Sequence, residues 1–285
     1  MIHGRRVLDA HQHFWQLGPG AYRWLTPEAG DLHADFGVAD VEPHAAAAGV
    51  DDVVLVQADP TRADTDAMLA VADAWSRVVG VVGWAPLDDP GGLAAALEAY
   101  AADPRVVGLR HQIHDEPDPD WVVRPEVLAG LAEVAAAGLT YDVVAVLPRH
   151  LEHVPTLAAR HPGLRIVVDH LAKPPVADKG WDPWAELLRQ AAAHPNVTAK
   201  LSGLDTAAAP GYGVGDLAPY VEHALEVFGP ERLMFGSDWP VSVLAGGYAR
   251  WWEVVGELVA PLTEDEQVAV LGGSARGFYG IEEKA

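Results

Sequence analysis

The chain reads as one (β/α)8 barrel spanning residues 1–285. Three observations predict it. Eight short β-branched runs recur along the sequence, Ala- and Leu-rich stretches of helical length separate them, and polar residues cluster where the runs end. A strand–helix alternation repeated this often implies a parallel sheet with helices outside it, and eight units favour closure into a barrel. The length of 285 residues suits a barrel, which needs about 250. An open doubly wound sheet is the alternative, but no GxGxxG follows the first run.

The predicted strands are, in order, 7–13, 50–59, 77–87, 106–113, 139–146, 164–171, 196–203 and 232–240. Their apolar runs are nearly continuous, as expected for strands covered on both faces. Helical patterns fall at 65–77, 91–103, 125–138, 184–194 and 217–229. The segment 14–40 reads as a long loop carrying Trp15, Tyr22, Trp24 and Phe36, and it is expected to cover the top of the barrel. No linker or low-complexity tract divides the chain.

Composition narrows the function. Half of the residues are hydrophobic and 21% are charged, which fits a folded domain rather than a disordered chain. With no cysteine there is no disulfide, no thiolate metal site and no thiol nucleophile. A net charge of −22 repels phosphate backbones and anionic headgroups, so nucleic-acid and membrane partners are not expected. The opening MIHGRRVLDAHQHFW lacks an apolar run of signal-peptide length, and a cytoplasmic location is the expectation. Assembly into a homo-oligomer is left open.

Barrel enzymes place their chemistry at the C-terminal strand ends. Those ends carry His11-Gln12-His13, Gln57 with Asp59, Arg110-His111-Gln112, Asp169-His170, Lys200 with Ser202, and Ser237-Asp238-Trp239-Pro240. Residues i and i+2 of a strand share a face, so the His11 and His13 imidazoles converge. Neutral imidazole is a good ligand for zinc and related ions. His170 and Asp238 complete a set of three histidines and one carboxylate, enough for one ion or for one free base. Each residue also has an ordinary reading: an HxH pair as polar filler, His170 as a core histidine, Asp238 as a turn residue before Pro240. Their joint placement at three strand ends favours chemistry.

Around them, Arg110 suits an oxyanion or hydroxyl clamp, with an ion pair to Asp115 or Glu116 as its rival role. Gln57 and His111 are further candidate substrate contacts. Lys200 either binds substrate hydroxyls or pairs with a strand-end acid. Trp15 and Trp239, beside site residues, are candidate sugar-stacking platforms.

The motifs LDAHQHFW (8–15), GLRHQIHDEPDPDW (108–121), VVDHLAKP (167–174), AKLSGL (199–204) and RLMFGSDWPVS (232–242) resemble the amidohydrolase superfamily. Within it they are most similar to the sugar-lactonase branch, which includes L-fuconolactonase and L-rhamnono-lactonase. The resemblance spans the chain. It implies a hydrolase acting on carboxylic ester bonds, with water adding to an aldonolactone carbonyl to give the sugar acid. It implies that Asp238 takes the proton from water, and that His11, His13 and His170 polarise the carbonyl or hold a divalent ion.

The superfamily's dinuclear members use a carbamylated lysine on the fourth strand and a histidine on the fifth. Here Arg110 and His111 stand on the fourth, and Tyr141 and Asp142 on the fifth. The expectation is therefore one divalent ion, zinc first, with metal-independent catalysis as the open alternative. The small-molecule partner implied is an uncharged sugar lactone. The rivals are a metal-dependent decarboxylase or other ester hydrolase on the same scaffold, and a non-catalytic sugar-acid-binding barrel.

Overall fold

In the computed structural model, residues 2–18 and 20–283 are described. The eight runs form β1 (Val7–Gln12), β2 (Val50–Val56), β3 (Val78–Gly83), β4 (Val106–His111), β5 (Thr140–Val143), β6 (Ile166–Val168), β7 (Val197–Leu201) and β8 (Leu233–Phe235). Strand order follows the chain, and each neighbouring pair is parallel. A helix follows each strand: α1 (Val38–Ala47), α2 (Arg62–Ala74), α3 (Pro90–Tyr100), α4 (Pro125–Ala136), α5 (Pro148–Arg160), α6 (Trp184–Ala192), α7 (Val214–Phe228) and α8 (Gly247–Val259).

The strands are shorter than the apolar runs because the residues beyond their C-terminal ends turn away into the site loops. Three helices, α1, α5 and α8, were not singled out from the sequence. The first two carry internal prolines, Pro43 and Pro155, that blur the helical pattern, and the third opens on Gly246-Gly247. Proline in the first turn starts α3, α4 and α5, where its missing N–H and fixed φ do no harm.

Two features position the site. The lower barrel is apolar. Leu8, Ala10, Val54, Val56, Val82, Val107, Val167 and Met234 fill it, and Phe278 and Tyr279 of the C-terminal helix close it from below. The upper barrel is polar. The change coincides with an irregularity in β1, whose pairing with β2 slips by one residue between Asp9 and Gln12. An extra residue re-aims the side chains that follow it. His11 and His13 thereby join the interior already occupied by Leu8 and Ala10.

The β8–β1 seam is held by few bonds. Asp238 N donates to His11 O at 2.9 Å, and His13 N donates to Trp239 O at 2.7 Å. Buried Asp9 ties the seam further. It accepts from Ser237 N (2.8 Å), His11 N (3.2 Å), Gln12 Nε2 (2.7 Å) and Tyr248 Oη (3.0 Å).

The loop after β1 covers one side of the top with its own small core of Trp15, Tyr22, Leu25, Leu32 and Ala58. Among the described residues no helix is long and apolar enough to cross a membrane.

Candidate active site

His11, His13, His170 and Asp238 meet at the C-terminal end of the barrel, and all four are buried. His11 Nε2 lies 3.0 Å from His13 Nε2. Asp238 Oδ1 lies 3.5 Å from His13 Nε2, 3.7 Å from His11 Nε2 and 3.9 Å from His170 Nε2. Each imidazole is oriented through its other nitrogen. His13 Nδ1 donates to Val56 O at 2.7 Å, which turns Nε2 toward the site. His170 Nδ1 meets Ser202 Oγ at 2.8 Å. His11 Nδ1 faces Lys200 Nζ at 3.0 Å and Asp169 Oδ1 at 3.4 Å.

Backbone strain sets two of these side chains. His170, Leu171, Ala172 and Lys173 all have positive φ, 55°, 49°, 59° and 48°. L-residues rarely hold this conformation, and a run of four persists only where its surroundings enforce it. Trp184 Nε1 donates to Leu171 O, and Lys173 Nζ donates to Gly203 O and Thr206 Oγ1. Asp238 also sits at φ 53°. Gly203, at φ 60°, fits beneath both: a Cβ there would come within 2.7 Å of His170 Nδ1 and 2.8 Å of Asp238 Oδ2.

Burial pushes His170 down to about 4, against the opposing charge of Asp238. Burial, then the Lys200 charge, holds His11 well below the ordinary histidine range. Burial acts to raise Asp238, but His170, His13 and Lys173 overcome it and hold the carboxyl well below the usual range. Two neutral imidazoles thus face an ionised carboxylate.

A layer of charge lies just below. Lys200 Nζ donates to Asp142 Oδ2 at 2.5 Å and lies 3.1 Å from Asp169 Oδ1, and Tyr279 Oη donates to Asp142 Oδ2. Arg110 pairs with Asp169 at 3.1 Å and donates through Nε to Gln57 Oε1. Burial raises Asp142 to about 6 even with Lys200 beside it. Asp169 is held well below the usual range by Lys200, His11 and Arg110 against its burial.

The neighbouring candidates fall differently from expectation. Lys200 and Gln57 are fully buried, and of the roles open to Lys200 the structure shows the ion pair with strand-end acids rather than an open contact for substrate. Arg110 is paired with Asp169 and Gln57, not with Asp115 or Glu116. Trp15 and Trp239 are not open stacking platforms: each is 2% exposed and packs with Phe36 in the loop core. Their large rings are needed to seat the long loop. His111 lies flat on Trp121 with ring centroids 4.1 Å apart, bonded to Glu116 and Trp84.

The sequence names Asp169 and Asp142 only as strand-end residues without a role, and does not single out Asp9, Lys173, Gly203 or Asp205. Asp169 and Gly203 had a signal, since they flank chosen residues in VVDHLAKP and AKLSGL. The others are polar residues whose meaning depends on neighbours distant in sequence.

The donors suit a divalent ion. Among the described residues, His11, His13 and Asp238 form one group able to hold a metal, and His11, Asp169 and His170 another. Ligands around tetrahedral zinc lie ~3.3–3.4 Å apart for metal–nitrogen bonds near 2.0–2.1 Å. The 3.0 Å separation of the His11 and His13 Nε2 atoms and their 3.5–3.7 Å separations from Asp238 Oδ1 bracket that value, while His170 belongs to the other group. Arg110 Nη1 stands 3.3 Å from His11 Nε2, so a bound ion would have a guanidinium beside it.

Fold and site together define a class: parallel barrels that gather imidazoles and one ionised carboxylate at the C-terminal mouth. The chain belongs to the amidohydrolase family, whose pattern matches residues 8–281. It is 40% identical to an L-fucono-1,5-lactonase of Burkholderia ambifaria, over 96% of each chain. It is 36% identical to an L-fucono-1,5-lactonase of Burkholderia multivorans, covering 99% of this chain and 98% of the relative. A crystal structure of an amidohydrolase from Burkholderia multivorans with bound zinc superposes with a TM-score of 0.91 at 34% identity, covering 97% of this chain and all of that one.

Proposed function

We propose that this protein hydrolyses a sugar-derived lactone of the L-fucono-1,5-lactone kind to the corresponding sugar acid. The observation that carries the reading is Asp238: an ionised carboxylate at the barrel mouth, facing the Nε2 atoms of His11, His13 and His170. The names of the two lactonase relatives, matched along almost the whole chain, support the substrate class.

In this reading Asp238 accepts the proton of a water whose oxygen attacks the lactone carbonyl carbon. The ring C–O bond then breaks, and the leaving alkoxide takes that proton back from Asp238. The histidine cluster lies where the tetrahedral oxyanion develops, and Lys173 Nζ, 4.0 Å from Asp238 Oδ2, adds positive charge at the mouth. The depression of Asp238 keeps it ionised. A divalent ion held by His11, His13, His170 and Asp238, zinc first, would supply Lewis acidity toward both water and carbonyl.

A decarboxylase would need an arginine free to clamp a carboxylate, and Arg110 is already committed to Asp169 and Gln57. A mere binder would have no use for an ionised aspartate with two depressed histidines around it.

The test is a pH-indicator assay against a panel of aldonolactones, run before and after chelation with metal content measured alongside. Acid release from at least one aldonolactone is expected, with loss on chelation and recovery with zinc. Full activity in protein shown to be metal-free would remove the ion's role and leave the histidines alone to polarise the carbonyl.

A further inference from the structure

Two buried polar side chains beside the site carry oxygens that make no hydrogen bond of normal geometry within the protein. Asp205 follows β7, two residues after Gly203, and is 1% exposed. Neither of its carboxyl oxygens makes a hydrogen bond of normal geometry. The hydroxyl of Tyr212 is likewise unmatched. Both residues line a cavity of about 400 Å³ between the loops that follow β7 and β8, together with Thr206, Leu244 and Arg250. That volume lies within the range of small-molecule sites, roughly 300–1,000 Å³.

The cavity adjoins the chemistry. Lys173 bonds both Gly203 O and Thr206 Oγ1, on either side of Asp205, and approaches Asp238. Gly203 lies directly against His170 and Asp238. The charges of Asp238 and Lys173 are both felt at Asp205.

Buried polar groups in folded proteins are nearly always hydrogen-bonded, and leaving one unmatched costs about 1–3 kcal/mol. The two residues that carry these three unmatched atoms line the same cavity, which points to a ligand there. Its chemistry follows from theirs. Two carboxyl oxygens call for hydroxyl donors, and a phenol offers either role. An anionic group would be repelled, since Asp205 lies within the field of ionised Asp238 in a chain of net charge −22.

We propose that Asp205 and Tyr212 form a polyol subsite that grips the hydroxyl-bearing part of an uncharged lactone while its carbonyl lies against the histidine cluster. The proposal rests on the lactonase reading and deepens it: the pair selects hydroxylated lactones over bare or anionic ones.

The test compares an aldonolactone with the same ring lacking its hydroxyls, in the wild type, Asp205→Asn and Tyr212→Phe. A site built to bond hydroxyls loses discrimination when its partners go. The ratio of kcat/KM for hydroxylated over deoxy lactone should fall about tenfold or more in each variant, with the loss mainly in KM. A ratio unchanged in both variants overturns the subsite, whether or not overall activity falls. Wild-type protein inactive on both lactones contradicts instead the reading on which the subsite rests.

Discussion

At Asp205, burial first and then the nearby charge of Asp238 raise the carboxyl to about 7 from an ordinary 3.8. This has a consequence for stability. Between those values the unfolded chain gives up its proton while the folded protein keeps it, so the native state loses stability as pH rises through that window. Removing the ionisable group removes the loss. Asp205→Asn is therefore expected to be more stable than wild type above pH about 7, with the difference fading toward pH about 4. Urea midpoints measured at several pH values check it, and a difference independent of pH would contradict the environment described for Asp205. The residue also shows where sequence reading stops. His11, His13, His170 and Asp238 were legible because they sit in short motifs at strand ends. Nothing local in GLDTAAAPGYG separates a buried, unmatched aspartate from an ordinary turn residue. Its role emerges only from the loop of β8 and the cation of Lys173 beside it.

At the scale of elements, the decisive local structures are irregular ones. The slip in β1 admits His11 and His13 to the interior, and the left-handed run from His170 to Lys173 turns the end of β6 inward. Neither device has a reliable sequence signature. The strands are legible as short β-branched, apolar runs, but VVDHLAKP contains no glycine or asparagine to announce positive φ. The strain can be tested at Ala172, which is buried at φ 59° and contributes no side-chain polar atom. Glycine holds that conformation freely, which relieves about 1–2 kcal/mol against its own entropic penalty of about 0.5–1. Ala172→Gly should therefore leave stability unchanged or raise it by up to about 1.5 kcal/mol, where glycine in regular structure lowers it. A denaturation midpoint lowered by more than that amount would contradict the strain. The aromatic loop after β1 was legible as a cover. The roles of Trp15 and Trp239 within it were not, because an exposed platform and a buried anchor have the same composition.

For the whole molecule, the barrel was legible because its eight-fold repetition outweighs errors at single boundaries. The parts of the site follow from that closure. Opposite charges, Lys200 and Arg110 against Asp142 and Asp169, fill the upper barrel below the histidines, and Lys200 and Asp169 orient His11. Asp9 ties the seam at the point where Asp238 and His11 meet. The chemistry is thus placed where the last strand returns to the first. At that point Asp238, held ionised against the histidine cluster, is proposed to activate water. The most direct measurement is the turnover of an aldonolactone by Asp238→Asn beside wild type, with circular dichroism confirming the fold of both. In the variant kcat is expected to fall at least ~10²-fold, in line with the loss of a general base. A folded Asp238→Asn protein that retains wild-type kcat would contradict it.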